Sequence, residues 1–165
     1  MSSLSSWTAE QFDPQLNWGD VEWIKKRWGG KLILKGIMDA EDARLAVNSG
    51  ADALIVSNHG GRQLDGAVAP LRVLPAIAEQ AGSGMTVMLD GGIRRGTDVI
   101  KALALGAQAV FVGRPFNYAA AVDGEAGVTA AIDLLRAEVD RNLAMLGATT
   151  CAALGPEHLM DRRAP

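Results

Sequence analysis

Residues 57–65 read Ser-Asn-His-Gly-Gly-Arg-Gln-Leu-Asp and place a guanidinium three positions after an imidazole. The apolar run 53–56 before them predicts a buried strand that ends where the polar residues begin. A neutral His59 can remove a proton from a substrate, and Arg62 can hold a carboxylate through two parallel hydrogen bonds. The segment is too rich in glycine for a helix, so we interpret it as an active-site loop. An isolated loop histidine is more often structural than catalytic. Whether His59 is catalytic therefore has to be judged from the motifs in the rest of the chain.

Strand and helix patterns alternate on both sides of this loop. Short apolar runs predict strands over 31–35, 53–56, 86–90 and 108–112, and apolar residues at helical spacing predict helices over 18–28, 39–49, 70–81 and 95–105. The strands are apolar without alternation, as buried strands are, which favours parallel pairing. The sequence therefore predicts an α/β fold of parallel strand–helix units with right-handed crossovers.

The C-terminal third is predicted to be mostly helical. We expect a short helix over 116–122, a break at Gly124 and Gly127, and a longer helix over 128–146. The longer helix carries an apolar stripe that we interpret as core, made of Leu134, Leu135, Val139, Leu143 and Leu146.

Polar residues follow each predicted strand end, where α/β folds place their active sites. The longest interval between strand ends is the one that holds the histidine loop. Glycines at such positions let backbone N–H groups approach an anion closely. Gly91 and Gly92 after the third strand, with Gly113 after the fourth, match the usual phosphate cradle of a barrel. A plain tight turn is the alternative for the glycine pair.

Charged residues at the same strand ends suit a phosphorylated cofactor. Asp90 would accept hydrogen bonds from ribityl or ribose hydroxyls, while Arg94 and Arg114 would neutralise a phosphate. A turn or helix cap is the alternative role for Asp90. Lys35 ends an apolar strand, so its ammonium needs an anionic or carbonyl partner if it points inward, and exposure at the surface is the alternative. Beside a flavin, this cation would stabilise the negative charge that develops on reduction.

Composition excludes several classes of protein. A formal net charge of −3, with no basic stripe, argues against a nucleic-acid partner. Cys151 is the single cysteine, so an internal disulfide is excluded and a reducing compartment is favoured. No apolar run approaches the length of a membrane span, and we expect a cytoplasmic protein, at most peripheral to a membrane. Residues 1–17 are expected to form a flexible leader before one domain over 18–165, and no metal site is predicted.

Four stretches of the chain resemble the C-terminal half of the FMN-dependent 2-hydroxy acid dehydrogenases and oxidases, the family of glycolate oxidase, L-lactate and mandelate dehydrogenase and flavocytochrome b2. They are Leu-Lys-Gly-Ile at 34–37, the loop at 57–65, Asp-Gly-Gly-Ile-Arg-Arg-Gly at 90–96, and Ala-Leu-Gly-Ala at 104–107 with Val-Gly-Arg-Pro at 112–115. The histidine loop is specific to this family. The last two stretches are shared more widely among FMN and phosphate-binding barrels.

The resemblance implies a role for each matching residue. His59 would be the base that takes the proton of the substrate hydroxyl, while the hydrogen on the α-carbon passes to flavin N5 as hydride. Arg62 would bind the substrate carboxylate. The residues that match cofactor-binding positions are Lys35, Ser57, Asp90, Gly91, Gly92, Arg94, Gly113 and Arg114.

The family fold is an eight-stranded TIM barrel, and this sequence has room for about four strand–helix units, which is a half barrel. Open parallel edges normally pair, so three outcomes are implied: two copies complete a barrel, the sheet opens out, or the chain needs a missing N-terminal half. The leading hypothesis is FMN-dependent oxidation of an L-2-hydroxy acid to the 2-oxo acid. The alternative is an incomplete barrel that binds FMN, phosphate or a partner chain without turnover. His59 together with Arg62 argues against a different FMN barrel.

Overall fold

The first helix of the protein begins and ends at the predicted residues. A computed structural model describes residues 13–160, and in it α1 (Trp18–Trp28) is capped by the Asn17 side chain, which accepts the Gly19 N–H at 2.9 Å. The helix ends at Gly29, whose φ of 67° is favourable for glycine. Residues 1–12, which make up most of the predicted leader, lie outside the described residues.

Strands and helices alternate after α1. Their bounds are β1 (Ile33–Ile37), α2 (Ala40–Asn48), β2 (Ala53–Val56), α3 (Pro70–Ala81), β3 (Thr86–Asp90), α4 (Gly96–Ala104), β4 (Ala109–Phe111) and α5 (Arg114–Leu146). The four strands form one parallel sheet in the order β1-β2-β3-β4. This confirms the predicted α/β fold of four parallel strand–helix units. Within residues 13–160, no helix combines the length and the apolarity that crossing a membrane requires.

The first strand extends beyond its predicted end. The sequence pattern ends it at Lys35, whereas β1 continues to Ile37. Gly36 has a φ of 106°, which glycine adopts at little cost, and the pairing with β2 shifts register between Lys35 and Ile37. The bulge directs Lys35 to one face of the sheet and Ile37 into the core on the other.

The two faces of the sheet have different surroundings. The face that packs on the helices holds the main core, whose fully buried members include Leu54, Val56, Leu74, Ile77 and Leu89. The opposite, inner face carries Lys35, Ile55 and Met88 side by side in the parallel register. On the two edge strands, Ile33 and Phe111 are 50% and 47% exposed, because no further strand covers them within the described part of the chain.

The predicted break in the C-terminal helical region is confirmed at one of its two glycines. Helix α5 leaves helical geometry at Asp123 and Gly124, where the φ of Gly124 is 51°. Gly127 remains helical, so the break expected there was wrong. A Cβ on Gly127 would lie 2.2 Å from the carbonyl oxygen of Ala119, which shows that the two segments approach closely at this glycine.

The apolar stripe of α5 is only partly core. Leu135 and Val139 pack against the main core, as predicted. Leu134 and Leu146 are 65% and 40% exposed, so their assignment to the core was wrong. The reason is that α5 packs mainly along α4, which covers only one side of the helix.

Candidate active site

A cavity of about 890 Å³ opens at the carboxyl ends of the strands. Ser57, which is 1% exposed, lies beneath its wall. The other residues predicted from the sequence line it directly: Lys35, His59, Arg62, Asp90, Gly91, Gly92, Arg94, Gly113 and Arg114. The fold therefore brings residues from all four strand ends to one place.

Lys35, Ser57 and Asp90 form one polar group across β1, β2 and β3, joined by a hydrogen bond to Ser57 and an ion pair with Asp90. The Nζ atom of Lys35 lies 2.9 Å from Ser57 Oγ and 3.0 Å from Asp90 Oδ2. The register explains the meeting, because Lys35 pairs with Ile55 and Ile55 with Met88, and each acceptor stands two residues further along its chain. Lys35 thus has the anionic partner expected for an inward lysine, although 43% of its side chain is exposed.

The same group has one acceptor and one donor without a protein partner. Asp90 Oδ1 is buried and accepts no hydrogen bond from any described residue. An ammonium carries three N–H groups, and two acceptors from residues 13–160 face that of Lys35. A buried carboxylate oxygen without a partner costs free energy. The arrangement therefore suits a ligand that donates to Asp90 and accepts from Lys35.

His59 adopts a backbone conformation that the loop imposes. Its φ of 55° makes it the only residue other than glycine with a positive φ between residues 13 and 160, and its N–H donates to Ser57 Oγ at 3.2 Å. Such a conformation is strained for a side chain with a Cβ. The ring lies against Gly36, where a Cβ would be 3.1 Å from His59 Nε2. Gly36 therefore leaves the space that the imidazole occupies.

The histidine loop contains one short turn of helix. Residues His59–Gly61 form a 3-10 turn, so the expectation of a wholly non-helical loop was wrong. Gly60, with a φ of 69°, interrupts the turn and prevents it from continuing as a regular helix.

Asn58, to which the sequence reasoning assigned no role, fixes this loop to its neighbours. Its Oδ1 accepts the Gly61 N–H at 3.2 Å, and its Nδ2 donates to the Val68 carbonyl at 3.2 Å. Its Oδ1 also lies 3.3 Å from the position of a Cβ on Gly91, so the loop contacts the glycine turn after β3. An asparagine two residues after a strand end, followed by glycines, is the signal that could have identified this residue.

Three guanidinium groups line the cavity. The side chains of Arg62 and Arg94 make no hydrogen bond or ion pair with the described residues. The backbone N–H of Arg94 donates to the Asp98 carboxylate at 3.0 Å. Arg114 donates from a terminal nitrogen to the Gly60 carbonyl at 3.1 Å. The cavity is therefore electrostatically suited to anionic ligands.

The glycine turns leave open space beside these arginines. Gly91 and Gly92 have φ angles of 89° and 85°, which favour glycine, whereas the φ of Gly113 is −104° and does not require it. A Cβ on Gly92 or Gly113 would meet no atom within 4 Å. Gly113 precedes α5, where Pro115 has no N–H and the N–H groups of Phe116 and Asn117 donate to the Gly113 carbonyl at 3.0 and 3.2 Å. An anion could therefore approach the open turns at Gly92 and Gly113 rather than the first N–H groups of α5.

Several residues that sequence reasoning did not single out also line the cavity. They are Gln63, Ile93, Phe111, Val112, Pro115, Asn117 and Tyr118. Among residues 13–160, no three His, Cys, Asp or Glu side chains lie close enough together to hold a metal ion. The chemistry on offer is proton transfer at an imidazole, carboxylate binding at a guanidinium, and binding of a hydroxyl-rich anionic cofactor.

Comparison of the sequence with known families and proteins gives consistent matches. The model of the family described as FMN-dependent dehydrogenase matches residues 1–161. The chain is 46% identical over 162 residues to an L-lactate dehydrogenase of Caulobacter vibrioides, covering 98% of this chain and 42% of that protein. It is 49% identical over 160 residues to the L-lactate dehydrogenase of Azorhizobium caulinodans, covering 97% of this chain and 42% of that protein.

Solved structures match the fold as well as the sequence. The monotopic membrane protein (S)-mandelate dehydrogenase superposes with a TM-score of 0.90 at 41% identity, over 98% of this chain and 45% of its own. A mandelate oxidase with (S)-4-hydroxymandelic acid superposes with a TM-score of 0.87 at 44% identity, over 93% of this chain and 43% of its own. These neighbours are TIM barrels, so the four-stranded sheet corresponds to part of a barrel. The chain spans less than half the length of these relatives.

Proposed function

Since the chain belongs to the FMN-dependent dehydrogenase family, we propose that it carries the reaction centre for oxidation of an L-2-hydroxy acid of the lactate, mandelate or glycolate type to the 2-oxo acid. FMN is the cofactor of this family. The observation that carries the proposal is the Lys35–Ser57–Asp90 group, which has one acceptor and one donor without a partner among residues 13–160, and whose Lys35 and Asp90 line the same cavity as His59.

The described residues fit FMN at three points. Asp90 Oδ1, buried without a partner, suits a ribityl hydroxyl that donates a hydrogen bond. The remaining N–H of Lys35 suits an electron-rich carbonyl edge, and Ser57 holds that lysine in place. The open turn at Gly92 lies in the same cavity as Arg94 and Arg114, which suits a phosphate. When bound, FMN would supply the two-electron acceptor that no side chain of this chain provides.

His59 is proposed as the base and Arg62 as the substrate anchor. A neutral imidazole accepts the proton of the substrate hydroxyl, and the electron pair left on that oxygen becomes the second bond of the new carbonyl as the α-carbon loses its hydrogen, whose bonding electrons FMN would accept. The side chain of Arg62, which has no partner among residues 13–160, holds the substrate carboxylate in a two-point pair that orients the hydroxyl towards the imidazole. Ser57, through the His59 N–H, and Gly36, through the space it leaves, position the ring.

The test is reduction of the cofactor by substrate. The purified chain is loaded with FMN and mixed anaerobically with L-lactate, L-mandelate or glycolate, and the visible flavin absorbance is followed. We expect bleaching with the L-acids and none with D-lactate. His59→Gln should keep FMN binding and slow bleaching by roughly 10²- to 10⁴-fold, the usual contribution of a general base. Arg62→Lys should raise KM sharply because a point charge cannot form the two-point pair. Equal bleaching by His59→Gln would remove the proposed base.

A second candidate function is a module that binds FMN, phosphate or a partner chain without turnover. The observation that favours it is coverage, since the chain spans about 42% of the L-lactate dehydrogenases it matches. A protein that turns yellow with FMN but fails to bleach with any of the 2-hydroxy acids would support this candidate over the enzyme.

We also propose that the free edges of β1 and β4 pair with another half barrel, supplied either by a second copy or by a separate N-terminal half. The support is the parallel order of the sheet, which leaves these two strands as edges, together with half-exposed Ile33 and Phe111 on them. Light scattering after gel filtration distinguishes the sources. A dimer mass supports a second copy, and a monomer that gains FMN affinity only with the N-terminal half of a relative supports the other.

For the location, we propose the cytoplasm or the surface of a membrane. The single cysteine supports a reducing compartment, and the similar (S)-mandelate dehydrogenase is described as a monotopic membrane protein. Fractionation of expressing cells, with a salt wash of the membranes, would test this assignment.

A further inference from the structure

Arg114 connects the N-terminus of α5 to the loop that carries His59. Its terminal nitrogen donates to the Gly60 carbonyl at 3.1 Å, across 54 residues of sequence. The guanidinium also lies close to the Gly60 α-carbon, since a Cβ built on Gly60 would be 3.1 Å from the same nitrogen. Gly60 directly follows His59, so the hydrogen bond acts one residue away from the proposed base.

The other side-chain hydrogen bonds that hold the loop are made by two of its own residues. Ser57 supports the His59 N–H, and Asn58 binds the loop to itself and to Val68. Within residues 13–160, Arg114 is the only side chain of α5 that forms a hydrogen bond with the loop. His59 sits at a strained positive φ, which persists only where surrounding contacts hold it.

The guanidinium of Arg114 has donors left after this contact. It carries five N–H groups in one rigid plane, and a single nitrogen bonds Gly60. Arg114 is the first residue of α5, next to Gly113, and it lines the same cavity as Arg94 and the open turn at Gly92. An oxyanion bound there would share this planar group with the Gly60 carbonyl.

We propose that Arg114 is a positioning residue for His59, and that an anion bound at the start of α5 orders the histidine loop through it. The identification of that anion as the FMN phosphate rests on the proposed function, whereas the contact with Gly60 does not. One N–H of the guanidinium holds the loop by donating to the Gly60 carbonyl. An anion that accepts from the other N–H groups fixes the orientation of the planar group and so strengthens its hold on the loop. Cofactor loading and the readiness of the base are then coupled.

Hydrogen exchange of the backbone amides in residues 57–66 tests the inference. In the ligand-free protein, Arg114→Lys should speed exchange in this segment by roughly fivefold, because a hydrogen bond to Gly60 is lost or weakened. Adding inorganic phosphate, and in a separate arm FMN, should slow exchange in the wild type. In Arg114→Lys the slowing should be absent, although lysine keeps the positive charge.

Arg94→Lys is the matched control. Arg94 lines the same cavity, but its side chain makes no contact with the loop among the described hydrogen bonds. We expect this variant to weaken anion binding while leaving ligand-free exchange in 57–66 unchanged and the response to saturating phosphate intact. The ring signal of His59 in a proton NMR spectrum gives a second readout, since His158 is the only other histidine and serves as an internal reference.

The results separate the inference from the proposed function. Unchanged loop exchange and an unchanged His59 signal in ligand-free Arg114→Lys would overturn the positioning role, whether or not FMN binds. A wild-type loop that does not respond to saturating phosphate and FMN would overturn the coupling. Failure of the proposed function would appear instead as loss of flavin binding or bleaching in the wild type, with the ligand-free effect of Arg114→Lys still present.

Discussion

The two ends of the sheet each hold an aspartate bound to lysine, but the two aspartates differ in how fully they are bonded. At the amino end, Asp52 accepts from Lys25 at 2.5 Å, from Lys31 at 2.8 Å and from the Leu32 N–H at 2.8 Å. Both of its oxygens therefore have partners. These bonds hold the pKa of the Asp52 carboxyl well below its usual range, with the Lys25 hydrogen bond as the largest cause.

At the carboxyl end, Asp90 forms an ion pair with Lys35 through one oxygen, and its second, buried oxygen has no hydrogen-bond partner among residues 13–160. The contacts of Asp52 at the amino end join α1 and the residues just before β1 to the residue before β2, and they leave neither carboxylate oxygen without a hydrogen-bond partner. The pair at the carboxyl end lines a cavity and has unused hydrogen-bonding capacity. We therefore propose that Asp52 stabilises the fold, whereas Asp90 binds a ligand.

Among the replacements that test this comparison, that of Asp90 should give the largest effect, and it acts on binding. Asp90→Ala removes the unpartnered oxygen together with the partner of Lys35, whose exposed ammonium is then solvated. We expect FMN affinity to fall by roughly 10- to 100-fold, the range for a hydrogen bond to a charged group. Thermal stability should change little, because a costly unsatisfied oxygen is removed with the ion pair. Flavin fluorescence titration and calorimetry measure the two quantities, and a large loss of stability with unchanged affinity would reverse the assignment.

Two glycines at opposite ends of the sheet sharpen the comparison. Gly36 and Gly50 both have positive φ, 106° and 77°, so alanine at either position costs backbone strain of about 1–2 kcal/mol. Only at Gly36 would the new Cβ meet a neighbour, His59 Nε2 at 3.1 Å. We expect Gly36→Ala to shift the His59 ring signal and slow bleaching by about tenfold. Gly50→Ala should lower stability without changing the His59 signal. If both substitutions shifted the His59 signal equally, the proposed packing of the imidazole against Gly36 would be contradicted.

Replacing Asp52 should affect stability and leave binding intact. Asp52→Ala removes three hydrogen bonds between α1, β1 and β2, and leaves the Leu32 N–H without this acceptor. We expect Tm to fall by a few degrees with FMN affinity unchanged. Lys25 keeps one acceptor, the Gly30 carbonyl at 3.1 Å, which limits the loss. If Asp52→Ala weakened FMN binding as strongly as Asp90→Ala, the two ends of the sheet would not have the separate roles proposed here.

The elements that carry local signals could be predicted from the sequence. Pro70 at the start of α3 and the apolar run of β3 fix those bounds, and both agree with the prediction. The end of β1 was missed because Gly36 introduces a bulge, and only the pairing with β2 reveals it. The exposure of Leu134 was missed because helical spacing identifies an apolar face without identifying what covers it.

The site was predictable as a set of residues but not as a geometry. The strand-end rule brings Lys35, Ser57 and Asp90 to one edge, and the structure places them there. Which of them bond, and which oxygen is left over, depends on the register of three strands distant in sequence. The contact of Arg114 with Gly60 is equally non-local, since no short-range pattern links a helix start to a loop 54 residues earlier.

The smallest predicted effect is the dependence of stability on pH at the amino end. The pKa of Asp52 is lower in the folded protein than in the unfolded chain, so its contribution is fully present above the unfolded value of about 4 and is lost as pH falls towards the folded value. We expect the advantage of the wild-type Tm over Asp52→Ala to begin to shrink as pH falls below about 5 and to go on shrinking below pH 3, with a constant difference from pH 6 to pH 8. Melting curves across this range measure it, and they need neither cofactor nor substrate. The remaining acidic groups are common to both proteins, so the difference isolates one carboxylate. Parallel wild-type and variant curves down to pH 3 would mean that the lysines do not hold this aspartate ionised, and the contrast between the two ends of the sheet would then rest on Asp90 alone.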